Sequence, residues 1–134
     1  MSEASNYLET NLFNHTLRNT PWTSPATIRC ALATSTATNA ELEAGTLTNE
    51  VTGNAYARQA IVFGSPTDGS GSNTSAVTFP TATPSGWGTV RFSFIVDATS
   101  SGNILIYTQL DADVTINNGN TFQFNTGGWT ASFA

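Results

Sequence analysis

The stretch Gly86-Trp-Gly-Thr-Val-Arg-Phe-Ser-Phe-Ile-Val-Asp-Ala-Thr-Ser-Ser-Gly-Asn-Ile-Leu-Ile-Tyr107 is the densest run of apolar, β-branched and aromatic residues in the chain. Val90, Phe92, Phe94 and Val96 recur at the period of two that puts alternate side chains on one face of a strand, with Arg91 and Ser93 on the other. This spacing predicts a half-buried strand. The turn formers of residues 97–103 follow, and Ile104-Leu-Ile-Tyr107 then resumes an apolar run of strand length. The two strands are expected to pair antiparallel as a core hairpin, with Phe92, Phe94, Val96, Ile104 and Ile106 in one interior. Nothing in this stretch carries catalytic chemistry, so function has to be sought in what the scaffold displays.

Upstream of the hairpin, Ile28, Cys30 and Leu32 alternate with Thr27, Arg29 and Ala31, which predicts a second half-buried strand over residues 27–33. Residues 34–53 are polar and small and read as a long surface loop, with a short helix around residues 39–44. Residues 56–63 read as a strand, residues 64–75 as a low-complexity loop, and residues 76–80 as a short strand ended by Pro80. Downstream, Asn118-Gly119 predicts a hairpin within residues 114–124, because both residues accept positive φ. Trp129, Ala131 and Phe133 alternate in a closing strand. About seven to eight strands with turn signals every ~8–12 residues are the pattern of a β-sandwich. The expected fold is mainly β, a single-domain antiparallel β-sandwich with an N-terminal helix.

That helix is expected over residues 5–19, where Leu8 and Leu12, and Phe13 and Leu17, stand four apart. Ser2 or Ser5 can cap it, Glu3 or Glu9 suits the positive end of its dipole, and Asn19-Thr-Pro21 closes it. Residues 20–25 then form an extended connector anchored by Trp22. The chain divides into residues 1–22, a helix and connector suited to docking, and residues 23–134, the sandwich. Leu8, Leu12, Phe13, Leu17 and Trp22 are the candidate interface residues. Their apolar arc has two readings, a cap on the open end of the sandwich or an insert in a neighbouring subunit's groove.

A chain of 134 residues suits one domain with a modest core. Only 10% of residues are charged, against roughly 25% in ordinary soluble proteins. Lysine is absent, and four arginines against nine acidic residues give a net charge of -5, which leaves no basic stripe for nucleic acid. No segment approaches the ~20 apolar residues of a membrane span, and the amino terminus lacks the regions of a signal peptide, so synthesis in the cytosol is expected. The single Cys30, in an apolar run, reads as a small buried side chain.

Candidate chemistry is sparse. His15 is the only histidine, and no protease signature surrounds Cys30, so a thiol dyad is weakly supported against a helix-surface histidine and a core cysteine. Asp111-Ala-Asp113 with Asn117 and Asn118 could offer oxygen ligands to Ca²⁺, but without an Asp-x-Asp-x-Asp-Gly loop or a terminal Glu a solvated turn is the better reading. Gly69-Ser-Gly71 precedes a β segment instead of a helix, so no phosphate loop is expected. Trp22, Trp87 and Trp129 could form a sugar platform, though tryptophans in a small sandwich are more often core or interface residues. Asn14-His-Thr and Asn73-Thr-Ser match a glycosylation triplet by chance in an Asn- and Thr-rich chain. No catalytic residue, metal or cofactor is expected.

Asn6-Tyr-Leu-Glu9 with Leu12, His15 and Leu17, then Trp22-Thr-Ser-Pro25, Tyr56-Ala-Arg-Gln-Ala60, Trp87-Gly-Thr-Val90, Gly102-Asn-Ile-Leu105 and Asn118-Gly-Asn-Thr-Phe-Gln-Phe124 run in order through nearly the whole chain. Together they resemble a family of small tailed-bacteriophage virion structural proteins, often labelled tail fibre proteins. The chain departs from that pattern at Cys30-Ala-Leu-Ala-Thr34, where a bulkier strand is expected, and in its extended 34–53 loop. The resemblance implies a non-enzymatic protein on the outside of the virion, in tail fibre or tail tip, made in the host cytoplasm. Its implied partners are other virion proteins and copies of itself, with a homotrimer suggested by analogy with fibres. Two alternatives stay open, a head decoration (capsid cement) protein and a carbohydrate-binding module that contacts a host surface glycan.

Overall fold

A computed structural model describes residues 2–133. The chain begins with a short strand, β1 (Ser2–Ala4), and helix α1 (Asn6–Leu17), followed by β2 (Arg29–Thr34) and a second helix, α2 (Asn39–Glu43). Then come β3 (Gln59–Ala60), β4 (Ser70–Ser72), β5 (Val77–Thr78), β6 (Gly88–Val96), β7 (Ile104–Ile116), β8 (Gln123–Phe124) and β9 (Thr130–Ser132). Five strands form one antiparallel sheet in the order β1-β7-β6-β2-β3, and two ribbons, β4-β9 and β5-β8, supply the facing layer. The fold is thus mainly antiparallel β with an N-terminal helix, a sandwich of one continuous and one divided layer.

The expected hairpin is the centre of the sheet, with Phe94 opposite Tyr107 and Ile95 opposite Ile106. It is buried on both faces, not one. Cys30, Leu32, Ile95, Leu105 and Trp129 share a cluster on the ribbon side, while Ala31, Ala33, Phe92, Phe94, Val96, Ile104 and Tyr107 share one with Leu42 of α2. Two register shifts displace residues from the simple alternation, between Val90 and Phe92 and between Ile95 and Val96. A bulge adds a residue to one strand and reverses the side-chain phase beyond it. Val90 therefore joins the ribbon-side cluster while Phe92 faces α2, and Ile106 lies opposite the interior that holds Ile104.

Residues 34–53, expected as surface loop, form the lid of that second interior. Thr38 and Glu41 make a reciprocal capping box at the start of α2, which falls within the expected 39–44 segment. Ala37 and Leu42 are buried in that interior, whereas Val51 is buried in the ribbon-side cluster. Few apolar residues suffice here because the sheet itself supplies the bulk, through Phe92, Phe94, Val96, Ile104 and Tyr107.

Three other expectations are corrected. Of residues 56–63 only Gln59–Ala60 is strand, because Tyr56 turns inward to stack on Phe79 at a centroid distance of 6.0 Å. The low-complexity stretch contains β4, a Ser-Gly-Ser strand joined to β9 through backbone pairing. Asn117 to Asn120 does form a turn, with Gly119 at φ 87° and the Asn120 amide donating to the Asn117 carbonyl at 3.0 Å. Its flanks part instead of pairing as a hairpin: residues 114–116 stay with β6, and β8 pairs with β5.

The amino-terminal residues are tied into the sheet. β1 lies along β7 with Glu3 opposite Tyr107, and the Ser5 hydroxyl caps α1 at the Leu8 amide while donating to the Ile104 carbonyl. At the other end Asn19 takes φ 52°, and the amides of Arg18 and Thr20 both donate to the Asn14 carbonyl, a closure that uses the tolerance of Asn for the left-handed region.

Candidate functional site

The expected interface residues on α1 divide into two sets. Leu8 is buried and Leu12 packs half-buried against the ribbon-side core, whereas Phe13 and Leu17 are 56% and 71% exposed. At 3.6 residues per turn, Phe13 stands roughly 140° round the helix from Leu8, too far to share its footing. Trp22 is half-buried, meets Tyr7 edge to face at 6.4 Å, and donates its backbone N–H to His15 Nδ1 at 3.2 Å, which folds the connector back on the helix. Leu8 and Trp22 come together with Ile28, Phe63, Leu105 and Phe133 in an apolar groove of about 450 Å³. Phe133, expected on one strand face with Trp129 and Ala131, is 58% exposed, and neither it nor Phe63 was expected to meet the helix segment.

A second region, polar in character, was also missed. Arg58 holds Glu50 through two hydrogen bonds of 2.7 Å, and its Nη1 donates to the Ala98 and Ser101 carbonyls at 2.9 and 2.7 Å. Tyr56 donates its hydroxyl to Glu50 and accepts from the Leu32 amide. The side chains of Arg58 and Glu50 retain only 5% and 12% of their exposure. Burial first, and the Glu50 charge second, hold the Tyr56 hydroxyl well above the ordinary phenol range, so it remains a donor. The hydrogen bonds it donates to Glu50 raise Arg58 above the usual guanidinium value. This network pins the 97–103 turn to the 50–58 segment, a union of residues that no local spacing announces.

The remaining candidates are placed as follows. Cys30 is fully buried, with Sγ 3.4 Å from Ser93 Oγ, and desolvation pushes its thiol up to about 12, far from the thiolate a nucleophile needs. His15 lies apart from it, engaged with Trp22. Asp111 and Asp113 belong to β7 and not to a turn, and Asp113 pairs with Arg91 at 2.8 Å. Among the described residues no group of three or more His, Cys, Asp or Glu side chains is arranged to hold a metal. Trp87 and Trp129 are core residues: Trp87 Nε1 donates to the Asn54 carbonyl, and Trp129 Nε1 to Ser93 Oγ at 2.8 Å. They form no platform. Asn73 is buried, its amide spent on the Ser75 and Asn125 carbonyls and its oxygen on the Trp129 amide.

A family model described as "Podophage GP4 fiber I protein gp80" matches residues 3–132. No curated protein matches the chain. The match spans both candidate regions and agrees with the resemblance drawn from the sequence.

Proposed function

Because this chain belongs to the podophage GP4 fiber I protein gp80 family, a family of phage fibre structural proteins, we propose that it is a non-enzymatic component of the particle exterior that works by self-association and by docking to other virion proteins. It is made in the host cytoplasm and enters the virion on assembly. The observation that carries this reading is the exposure of Phe13 and Leu17, four residues apart on a helix whose opposite side is anchored in the core. Two large apolar side chains on one turn-spaced face are the anchors by which an amphipathic helix enters a partner's groove. The weakly charged surface places little electrostatic cost on bringing copies together.

Deletion of residues 2–19 would remove β1 and the Ser5 bonds to β7 together with the helix surface, so substitution separates docking from folding more cleanly. Phe13→Asp with Leu17→Asp is expected to leave the melting temperature within a few degrees of wild type, since neither side chain is in the core. The same variant should lose self-association in analytical ultracentrifugation and fail to enter particles. Association and incorporation at wild-type levels would remove α1 as the docking element, and a wild-type monomer present as isolated copies in the virion would remove self-association altogether.

A further inference from the structure

Three of the four arginines have partners: Arg58 with Glu50, Arg91 with Asp113, and Arg18 with the Asn14 side chain. Arg29, the first residue of β2, has none among the described residues, and its Nε is the one buried side-chain nitrogen or oxygen there without a hydrogen bond. A guanidinium nitrogen withdrawn from water with no acceptor loses hydration uncompensated, and such a group in a folded protein calls for an explanation. Arg29 lines a cleft of about 520 Å³ together with Glu50, Arg58, Thr52, Thr99 and Ser100. Glu50 is fully occupied by Arg58, so the walls carry one unneutralised positive charge in a chain of net charge -5. The Asp97 carboxylate, which also acts on Arg58, is engaged by the Asn103 backbone and side-chain amides at 2.7 and 3.0 Å. The hydroxyls of Thr52, Thr99 and Ser100 make no hydrogen bond among the described residues.

We propose that this cleft binds a sugar acid, its carboxylate against the Arg29 guanidinium and its ring hydroxyls against Thr52, Thr99 and Ser100. A planar monoanion matches the fork of donors on a guanidinium, whereas a dianionic phosphate would meet Glu50 and Asp97 with twice the repulsion. The hydroxyl-bearing rim supplies the donors and acceptors that a polyhydroxylated ring exchanges for water. The volume falls within the roughly 300–1,000 Å³ of small-molecule sites. Arg58, immobilised by Glu50 and two turn carbonyls, fixes the rim before the ligand arrives. This site is independent of assembly through α1.

The test is an NMR titration of the full chain with glucuronate, acetate, glucose and inorganic phosphate in turn. Glucuronate is expected to give saturable shifts at the Arg29 side-chain N–H and at the amides of residues 99–101, with acetate weaker and glucose silent. Arg29→Gln should weaken glucuronate at least about tenfold, and Thr99→Ala with Ser100→Ala should weaken glucuronate while leaving acetate unchanged. If Arg29→Gln does not fold, the Arg29 N–H shift in wild type and the Thr99/Ser100 variant decide the matter. The proposal is overturned by an absence of saturable shifts with glucuronate, by an affinity that Arg29→Gln leaves unchanged, or by phosphate binding more tightly than glucuronate. Loss of self-association in Arg29→Gln, without glucuronate binding by wild type, would overturn it in favour of an acidic side chain from a second copy.

Discussion

The two faces of the central sheet are covered in different ways. On the ribbon side the cover is assembled from residues far apart in sequence, with Trp129 packed edge to face on Phe63 at 5.8 Å and Trp87 on Tyr56 at 5.4 Å. These rings stand in the segments that flank the short strands, and the polar atoms of the large ones are met individually, Trp129 Nε1 by Ser93 and its backbone amide by Asn73. On the other side a single continuous segment, residues 34–53, lays α2 over β6 and β7 through Leu42, Ala37 and the half-buried Leu47. A face built from distant short strands depends on a few large side chains that hold several segments at once. A face built from one local segment depends on that segment's own folding.

The difference can be tested by breaking each face at its anchor. Trp129→Ala should have the largest effect, about 3–5 kcal/mol in denaturant unfolding, because it opens a cavity, removes the indole bond to Ser93 Oγ and leaves the Phe63 ring without its partner. A cost near that of a surface substitution would show that the ribbons are held by their backbone pairing alone. Leu42→Ala should follow at about 2–5 kcal/mol. If that variant loses amide protection only in residues 34–53, the α2 face is a lid that opens by itself; global loss would make the two faces one cooperative unit.

Smaller effects sharpen the picture on the α2 side. Thr38→Ala removes the cap of a helix only five residues long and should cost about 0.5–2 kcal/mol, visible as faster exchange of the Glu41 amide. Asp113→Asn should do least, because the Arg91–Asp113 pair keeps 38% and 41% side-chain exposure and is screened by salt. The hydrogen bonds from Arg91 hold the Asp113 carboxyl below its usual range. Its contribution is therefore present above the ordinary carboxylate pKa and is lost as pH falls through the lowered value. An acid titration of wild type and variant should converge only below that range, and divergence confined to neutral pH would contradict the assignment. Arg91 also reaches the Ser35 carbonyl at 3.2 Å, so the pair steadies the entry to the α2 segment.

Local pattern alone determined the central hairpin, the strand at Cys30 to Leu32, α1 with its Asn19 exit, and the short helix near residue 40, while the choice of Ser5 over Ser2 as the cap came from the structure. In each case the signal lies within a few residues, as a period of two, a period near four or a capping residue. The same pattern, with the order of its motifs, pointed to the phage fibre family that the whole-length match bears out. Tertiary structure decided the rest. Bulges, which leave no mark in composition, moved Val90 and Ile106 across the sheet. A Ser-Gly-Ser strand could be found only through its pairing with β9, and the 34–53 segment became cover because Leu42 and Ala37 meet an interior whose bulk comes from β6 and β7. The Arg29 cleft and the division of α1 into an anchored and an exposed side arise from the meeting of segments tens of residues apart, where burial is a property of the folded surface and not of any window of sequence.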